Sequence, residues 1–244
     1  MAAGTLYLVP TGLGGAVAPL LPQSTLEIVW RLERFIAENP KSARAFLKHA
    51  GFPKAIQGVA IETLDEHTPD SALAALCAPL EHGVDCGLVS EAGCPAVADP
   101  GAKLVRRAHA AGIRVVPLVG PSSLLLAVMA SGLNGQRFAF QGYLPVDRAT
   151  RTKRLTELER ESAQGDITQA FIETPYRNAA LFEAILDACD ERTLLCVASD
   201  LTLPSETITT RSVREWKHGA PPALVRRPTV FLMYRDVREA RAAK

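Results

Sequence analysis

The sequence predicts an α/β protein of two successive domains, and three observations lead there. Short apolar runs of strand character alternate with helical stretches along the chain. The apolar character of DCGLVSE suits a strand of a buried parallel sheet. The composition then changes once, at a polar and basic connector near residues 142 to 150, which places the boundary between a domain of residues 1–142 and one of residues 143–244. With 244 residues and 48% hydrophobic content, the chain is long enough for one or two such cores.

The elements follow in order. GTLYLVP, from Gly4 to Pro10, is a strand ended by proline and followed by the turn TGLGG. Ser24 with Glu27 fits a capping box, and Ile28, Val29, Leu32, Phe35 and Ile36 recur at helical spacing; RFIA either continues that helix or turns into a short strand. SARAFLKHAG is a compact helix with Ser42 as cap and Gly51 as stop. The helix from Ser71 bends at Pro79 and leads into the buried strand DCGLVSE. Asp99, Pro100 and Gly101 supply a cap, a first-turn proline and a helix start, and that helix closes at Gly112. IRVVPL is a strand, VGPSS a loop, and LLLAVMASG an apolar helix ending near Gly132. Beyond a further strand and the connector come a charged helix from Arg151 to Ser162, the strand ITQAFIE, a helix from Arg177 to Ala188, and the strand TLLCVAS. The chain then runs through SETITT, the short helix SVREWKHG and the edge-like strand PTVFLMY.

Charge and cysteine usage narrow the function classes. Twenty-seven Lys and Arg against 26 Asp and Glu leave a formal charge of +1, so any nucleic-acid contact is a local patch and not a property of the whole surface. No basic segment precedes the short apolar run at the N-terminus and no stretch approaches a membrane span, from which a cytoplasmic location is expected. Five cysteines, odd in number and without a CxxC pair, predict reduced and mostly buried thiols, with neither a disulfide framework nor a zinc site.

The loops carry the chemistry. In open α/β sheets, ligands bind beyond the carboxyl ends of the strands, and three strands of the first half end in small-residue turns: PTGLGG, SEAGCP and GPSS. Small residues let backbone N–H and C=O groups approach a ligand, and two helix starts add positive charge for a carboxylate or phosphate. Such turns suit an adenosine-like or amino-acid-like molecule; taken singly, each also serves merely to connect strand and helix. TGLGG lacks the third glycine and the acidic residue of a dinucleotide fold, and the chain contains no GxxxxGKS or GxxxxGKT. Hydride transfer and nucleoside triphosphate hydrolysis are therefore not expected.

GTLYLVPTGLGG, AENPKSARAFL, LVSEAGCPAVADPGAKLVRRAHAAGIRVVPLVGPSS, FQGYLP and FIETPYRN resemble the successive motifs of the tetrapyrrole (corrin/porphyrin) methylase family, from Gly4 to about Tyr234. Within it the chain is similar to the branch that methylates a ribose 2'-hydroxyl of 16S rRNA. The resemblance implies a class III methyltransferase, two α/β domains with S-adenosylmethionine in the cleft between them, and a homodimer. By the same motifs the cofactor is expected at Pro10 and Thr11, at Glu91, Ala92, Gly93, Cys94, Pro95 and Val97, at Ser122 and Ser123, at Ile172 and Glu173, and at Ala198. The chain departs from the branch at three places: its AEDTR is Ala37, Glu38, Asn39, Pro40 and Lys41; its SDAGTP is Ser90, Glu91, Ala92, Gly93, Cys94 and Pro95; and its TKxxE is Thr202, Leu203, Pro204, Ser205 and Glu206, without the lysine. The short C-terminal extension of the branch has no counterpart in these residues.

A sulfonium methyl is already activated, so alignment and exclusion of water account for much of a transfer rate. A ribose hydroxyl is a poor nucleophile and calls for a general base, for which Glu38, Glu91 and Asp99 are the carboxylates in suitable loops, Glu38 and Glu91 ahead of Asp99. Glu38 reads equally as a solvated helix-end carboxylate, and Asp99 as a cap. Glu173 and Arg177 read as a pair that shapes the site. Cys94 occupies a small-residue slot with no base beside it, which reads as packing, and His67, His82 and His109 lack metal-ligand spacing. Arg148, Arg151, Lys153 and Arg154, flanked by Tyr143 and joined by Lys41 and Arg44, form the expected RNA-binding rim; the same run also reads as a solvated helix start. Three functions stay open: a methyltransferase acting on RNA of the 30S subunit, the same chemistry on a tetrapyrrole or other small molecule, and a non-catalytic adenosine-ligand or RNA-binding module.

Overall fold

The computed structural model describes residues 2–236. The chain divides into two compact units between Ser122 and Ser123, each built on one five-stranded sheet.

The first unit contains strands β1 (Thr5–Val9), β2 (Arg34–Ala37), β3 (Ala60–Thr63), β4 (Cys86–Val89) and β5 (Arg114–Pro117), all parallel in the order β3-β2-β4-β1-β5. Neighbouring residues of one strand point into different cores. Phe35 and Ala37 pack with Leu26, Val29, Phe46 and Leu47 from helices α1 (Gln23–Arg31) and α2 (Pro40–His49). Ile36, together with Leu6 and Leu88, packs with Leu76, Leu80 and Leu104 from α3 (Leu73–Glu81) and α4 (Gly101–Ala110). Helices on both faces explain why CGLV is apolar at every position rather than at every second one. RFIA is a strand, as one of its two readings has it. β3 has no counterpart in the sequence reading, because AIET is short and partly polar.

Helix starts differ from expectation where proline intervenes. α1 begins at Gln23 after Pro22, with no side-chain cap, and Glu27 accepts from Gln23 Nε2 at 3.3 Å instead of closing a box with Ser24. α2 begins at Pro40, and Asn39, not Ser42, caps it by accepting from Lys41 N at 2.9 Å. The Asn-Pro pair is thus a helix-initiating signal.

The second unit contains α5 (Ser123–Ser131), β6 (Phe138–Tyr143), α6 (Arg148–Gly165), β7 (Thr168–Ile172), α7 (Asn178–Ala188), β8 (Leu194–Ser199), β9 (Thr207–Ser212), α8 (Val213–His218) and β10 (Thr229–Tyr234). The sheet order is β6-β7-β10-β8-β9, with β10 antiparallel to both neighbours. PTVFLMY is therefore central and not an edge; its residues from Thr229 to Met233 are buried, which matches their unbroken apolar character. The unit begins about twenty residues before the expected boundary, because α5 packs against β8, β9 and β10, and β6 pairs with β7. The polar connector is instead the start of α6, where Asp147 accepts from Thr150 N and Oγ1, both at 2.8 Å. α8 carries a complete capping box between Ser212 and Glu215.

Gly87 is closely packed in the first core: a Cβ there would stand 2.8 Å from Phe35 Cδ1 and 3.0 Å from Leu32 Cδ1. Gly87→Ala is expected to destabilise the protein by about 1–3 kcal/mol through overpacking, read as a lower urea midpoint at unchanged slope.

Candidate functional site

Val9, Ala37 and Val89 share one register, so Pro10, Glu38 and Ser90 leave the sheet side by side. The loops beyond them interlock. Thr11 N donates to Gly93 O at 2.9 Å, Ser90 Oγ donates to the same carbonyl at 2.8 Å, and Cys94 Sγ donates to Pro121 O at 3.5 Å. A Cβ on Gly120 would fall 2.3 Å from Pro10 Cγ, and one on Gly93, where φ is +69°, would stand 3.2 Å from Leu13 Cδ2. The three turns therefore meet at one place in the first unit, and glycine is what allows the approach.

This corner holds strain and an unmet hydrogen-bonding group. Ala96 (φ +64°) and Ala98 (φ +60°) sit in the left-handed region, at about 1–2 kcal/mol each for a residue with a Cβ. Such conformations gather at ligand sites. Thr11 is buried, and its Oγ1 has no partner, an omission that costs about 1–3 kcal/mol unless something else bonds to it. Asp99 acts as the cap: its Oδ1 accepts from Ala96 N at 2.7 Å and Gly101 N at 2.9 Å, while burial pushes its carboxyl up against the pull of those two N–H groups. Burial also pushes the Cys94 thiol up, so this cysteine is a packing group and not an activated nucleophile.

Glu38 lies at the end of β2, and its carboxyl is held above the ordinary range, first by burial and then by the negative charges of Glu91, Asp99, Glu66 and Asp65. Of the carboxylates at this edge, Glu38 is the one the others push toward holding a proton. Lys41 and Arg44, on the first turns of α2, are exposed.

In the second unit Ile172 and Ala198 both pair with Val230, which brings the ends of β7 and β8 together. The Glu173 side chain is fully buried; its Oε1 accepts from Thr174 N at 2.7 Å and from Arg177 at 2.6 Å, while Oε2 has no partner. Arg177 Nε, Asn178 Oδ1 and Thr202 Oγ1 are likewise buried and unpartnered. Asn178 Nδ2 donates to Arg227 O at 2.7 Å, Arg227 Nε donates to Asp200 Oδ2 at 2.7 Å, and Ser205 Oγ donates to the same oxygen at 2.8 Å. Sequence reasoning missed Asp200 and Arg227, since no local motif joins residues so far apart in the chain, and gave no role to Asn178 and Thr202 although both lie in motifs quoted above.

The basic run is only partly presented. Arg148 is 84% exposed and stands 3.6 Å from Asp187, and Lys153 is exposed. Arg151 is 8% exposed, on the α6 face that also buries Leu155 and Leu158. Arg154 is held by Glu161 at 3.0 Å, Glu157 at 3.4 Å and Gln141 at 3.0 Å. Arg151 and Arg154 thus do not form the free rim expected of them, because the helix turns one toward the core and surrounds the other with acceptors. Ser122 closes the first unit and Ser123 opens α5.

In fold the chain matches the crystal structure of the methyltransferase CobJ, with a TM-score of 0.63 at 20% identity over 96% of this chain and 95% of that one. Two α/β units of this kind, each on one five-stranded sheet, are the fold shared with that structure. Residues 5–216 match the family of Tetrapyrrole (Corrin/Porphyrin) Methylases, and the chain belongs to that family, whose methyltransferases use S-adenosylmethionine. Two relatives carry the name ribosomal RNA small subunit methyltransferase I. That of Escherichia coli O157:H7 is 34% identical over 89% of this chain and 69% of its own length. That of Xylella fastidiosa (strain Temecula1) is 35% identical over 84% of this chain and 71% of its own.

Because the folded protein raises the Glu38 carboxyl, the stability linked to it is present below the unfolded value and is lost as pH rises through the folded one. An NMR titration is expected to place Glu38 above the ordinary glutamate range, and Glu91→Gln to move it back down. A midpoint at or below the ordinary range, unmoved by Glu91→Gln, would remove the repulsion argument.

Proposed function

We propose that this methyltransferase takes its methyl group from S-adenosylmethionine and delivers it to a ribose 2'-hydroxyl of small-subunit ribosomal RNA, in the cytoplasm. The observation that carries the cofactor is the corner where Thr11, Gly93 and Pro121 meet: glycine keeps a Cβ out of it, and a buried hydroxyl there has no partner. The names of the two relatives support the acceptor. Among the described residues no helix is long and apolar enough to cross a membrane.

The residues fit the cofactor. Pro10, Thr11, the turn from Glu91 to Val97, and Ser122 with Ser123 would hold it from one side of the sequence, and Ile172, Glu173 and Ala198 from the other. S-adenosylmethionine supplies an activated methyl group when bound. Thr11 Oγ1 and Glu173 Oε2 each have a free hydrogen-bonding valence with which to orient a polar ligand. Glu38, raised above its ordinary range and flanked by Glu91, holds a proton more tightly than an isolated glutamate, as suits a base that takes a proton from the acceptor hydroxyl. Lys41, Arg44, Arg148 and Lys153 present cations for phosphates, with Arg151 and Arg154 in supporting positions. A homodimer is part of this reading: α5 is apolar around its circumference, yet Leu125 is 52% and Met129 is 78% exposed, an arrangement that suits a covered face.

Calorimetry with S-adenosylhomocysteine is expected to show binding, and Gly93→Leu to abolish it while the protein stays folded, since a side chain at a φ of +69° meets Leu13. No heat and no thermal shift with the wild-type protein would end the cofactor reading. Labelled methyl should pass to 30S subunits; turnover of a tetrapyrrole with neither 30S subunits nor naked rRNA methylated would transfer the case to a small-molecule acceptor. Light scattering is expected to give a dimer mass, and Met129→Glu to lower it.

A further inference from the structure

The protein has four tyrosines, and they fall into two groups. Tyr7 and Tyr234 are partly buried within strands, whereas Tyr176 is 81% and Tyr143 is 57% exposed. Both exposed tyrosines stand at the same edge of the second sheet. β6 and β7 run parallel, Tyr143 is in register with Ile172, and Tyr176 lies four residues beyond Ile172 in the turn that starts α7. A register shift between Phe140 and Tyr143, with Gly142 at a φ of +65°, sets the end of β6 apart from a regular ladder. Bulges of this sort re-aim side chains at functional edges.

The turn that carries Tyr176 is also incomplete in its hydrogen bonding. Within six residues it leaves Glu173 Oε2, Arg177 Nε and Asn178 Oδ1 buried and unpartnered. Arg177 is fixed by Glu173 at 2.6 Å and keeps 38% of its side chain exposed, so a positioned cation follows directly on the exposed ring. An aromatic face beside an anchored guanidinium recognises a flat ring joined to an anion. In duplex RNA the base faces are stacked away and only edges and backbone are offered, so an exposed aromatic platform selects nucleotides that are unpaired.

We propose that Tyr176, supported by Tyr143, is the stacking platform for an unpaired nucleotide of the RNA acceptor, with the adjoining phosphate on Arg177. The inference rests on the RNA reading above and deepens it: the substrate is single-stranded at the point of contact, and selection for it lies in the turn from Glu173 to Asn178. Stacking is tolerant of base identity, because every base has a π face, so the platform chooses strandedness and leaves sequence to other contacts.

The test is fluorescence anisotropy with a labelled single strand of about 12 nucleotides, within the range of single-strand site sizes, and a hairpin of equal length without a loop long enough to stack. The wild-type protein is expected to prefer the single strand. Tyr176→Ala should weaken that binding by about tenfold, the scale of one base–aromatic stack, and Tyr176→Phe should restore it. The hairpin affinity should be the same for all three proteins, as should S-adenosylhomocysteine affinity, which controls for folding. Tyr143→Ala should give a smaller loss in the same direction. Single-strand binding by the wild-type protein that Tyr176→Ala leaves intact would overturn the platform while sparing the RNA reading, as would a loss shared equally by the hairpin. Failure of the wild-type protein to bind either RNA would overturn both.

Discussion

The first sheet is parallel and covered by helices on both faces, and the placement of every group discussed for the first unit follows from that constraint. Parallel strands joined by crossover helices must all end at the same edge. Burial on both faces then fixes the register, since a slip of one residue would move Phe35 out of one core and Ile36 out of the other. With Val9, Ala37 and Val89 aligned, the chain has no choice but to deliver Pro10, Glu38 and Ser90 to neighbouring positions. The contacts that follow, Thr11 to Gly93 and Gly120 against Pro10, are consequences of that alignment, and glycine appears where a Cβ would obstruct them.

The second unit reaches a comparable edge by another route. Its central strand is the antiparallel β10, inserted between β7 and β8, so the ends of two parallel strands are bridged by the beginning of a third that runs the opposite way. The bridge is polar. Ser199 and Thr229 share a hydrogen bond at 2.8 Å, Asp200 N donates to Pro228 O at 2.9 Å, and the Asp200–Arg227 pair is mostly buried at 2.7 Å. Fully paired groups of this kind hold a turn in one conformation, and the unpaired ones beside them, Glu173 Oε2 and Thr202 Oγ1, mark where pairing stops.

Charge is distributed unevenly across these edges. The charges of Glu91, Asp99, Glu66 and Asp65 act on Glu38 at the end of the first sheet, whereas on α6 Arg148 and Arg154 are paired with carboxylates of the second unit. A near-neutral protein that contacts a polyanion must do so through few charges, and side-chain groups that recognise a base face lessen its dependence on phosphate contacts.

Much of this was legible in the sequence. The sequence marked β1, β4, β5, β6, β7, β8 and β10 as strands, left RFIA between helix and strand and gave SETITT no element, and β3 escaped because AIET is neither continuously apolar nor alternating. Proline and glycine marked most helix ends, but the helix expected from a Ser42 cap starts earlier, at Pro40 with Asn39 as its cap. The small-residue turns pointed to a ligand edge on chemical grounds alone, and the motifs placed the chain in its family. What the linear order does not contain is adjacency. A composition change suggested a boundary at residue 142, but α5 and β6 belong to the second unit because α5 packs on its strands and β6 pairs with β7. PTVFLMY looks like an edge from its place late in the chain, and is central because both its faces are apolar and both its neighbours need a partner. Basic residues three positions apart in one run met different fates, Arg148 in solvent and Arg151 in the core, since a helix face is defined only by what it packs against. Local sequence determined which elements form and which turns offer their backbone; burial and hydrogen bonding between distant segments decided which side chains remain available, because those energies exist only once the sheets are assembled.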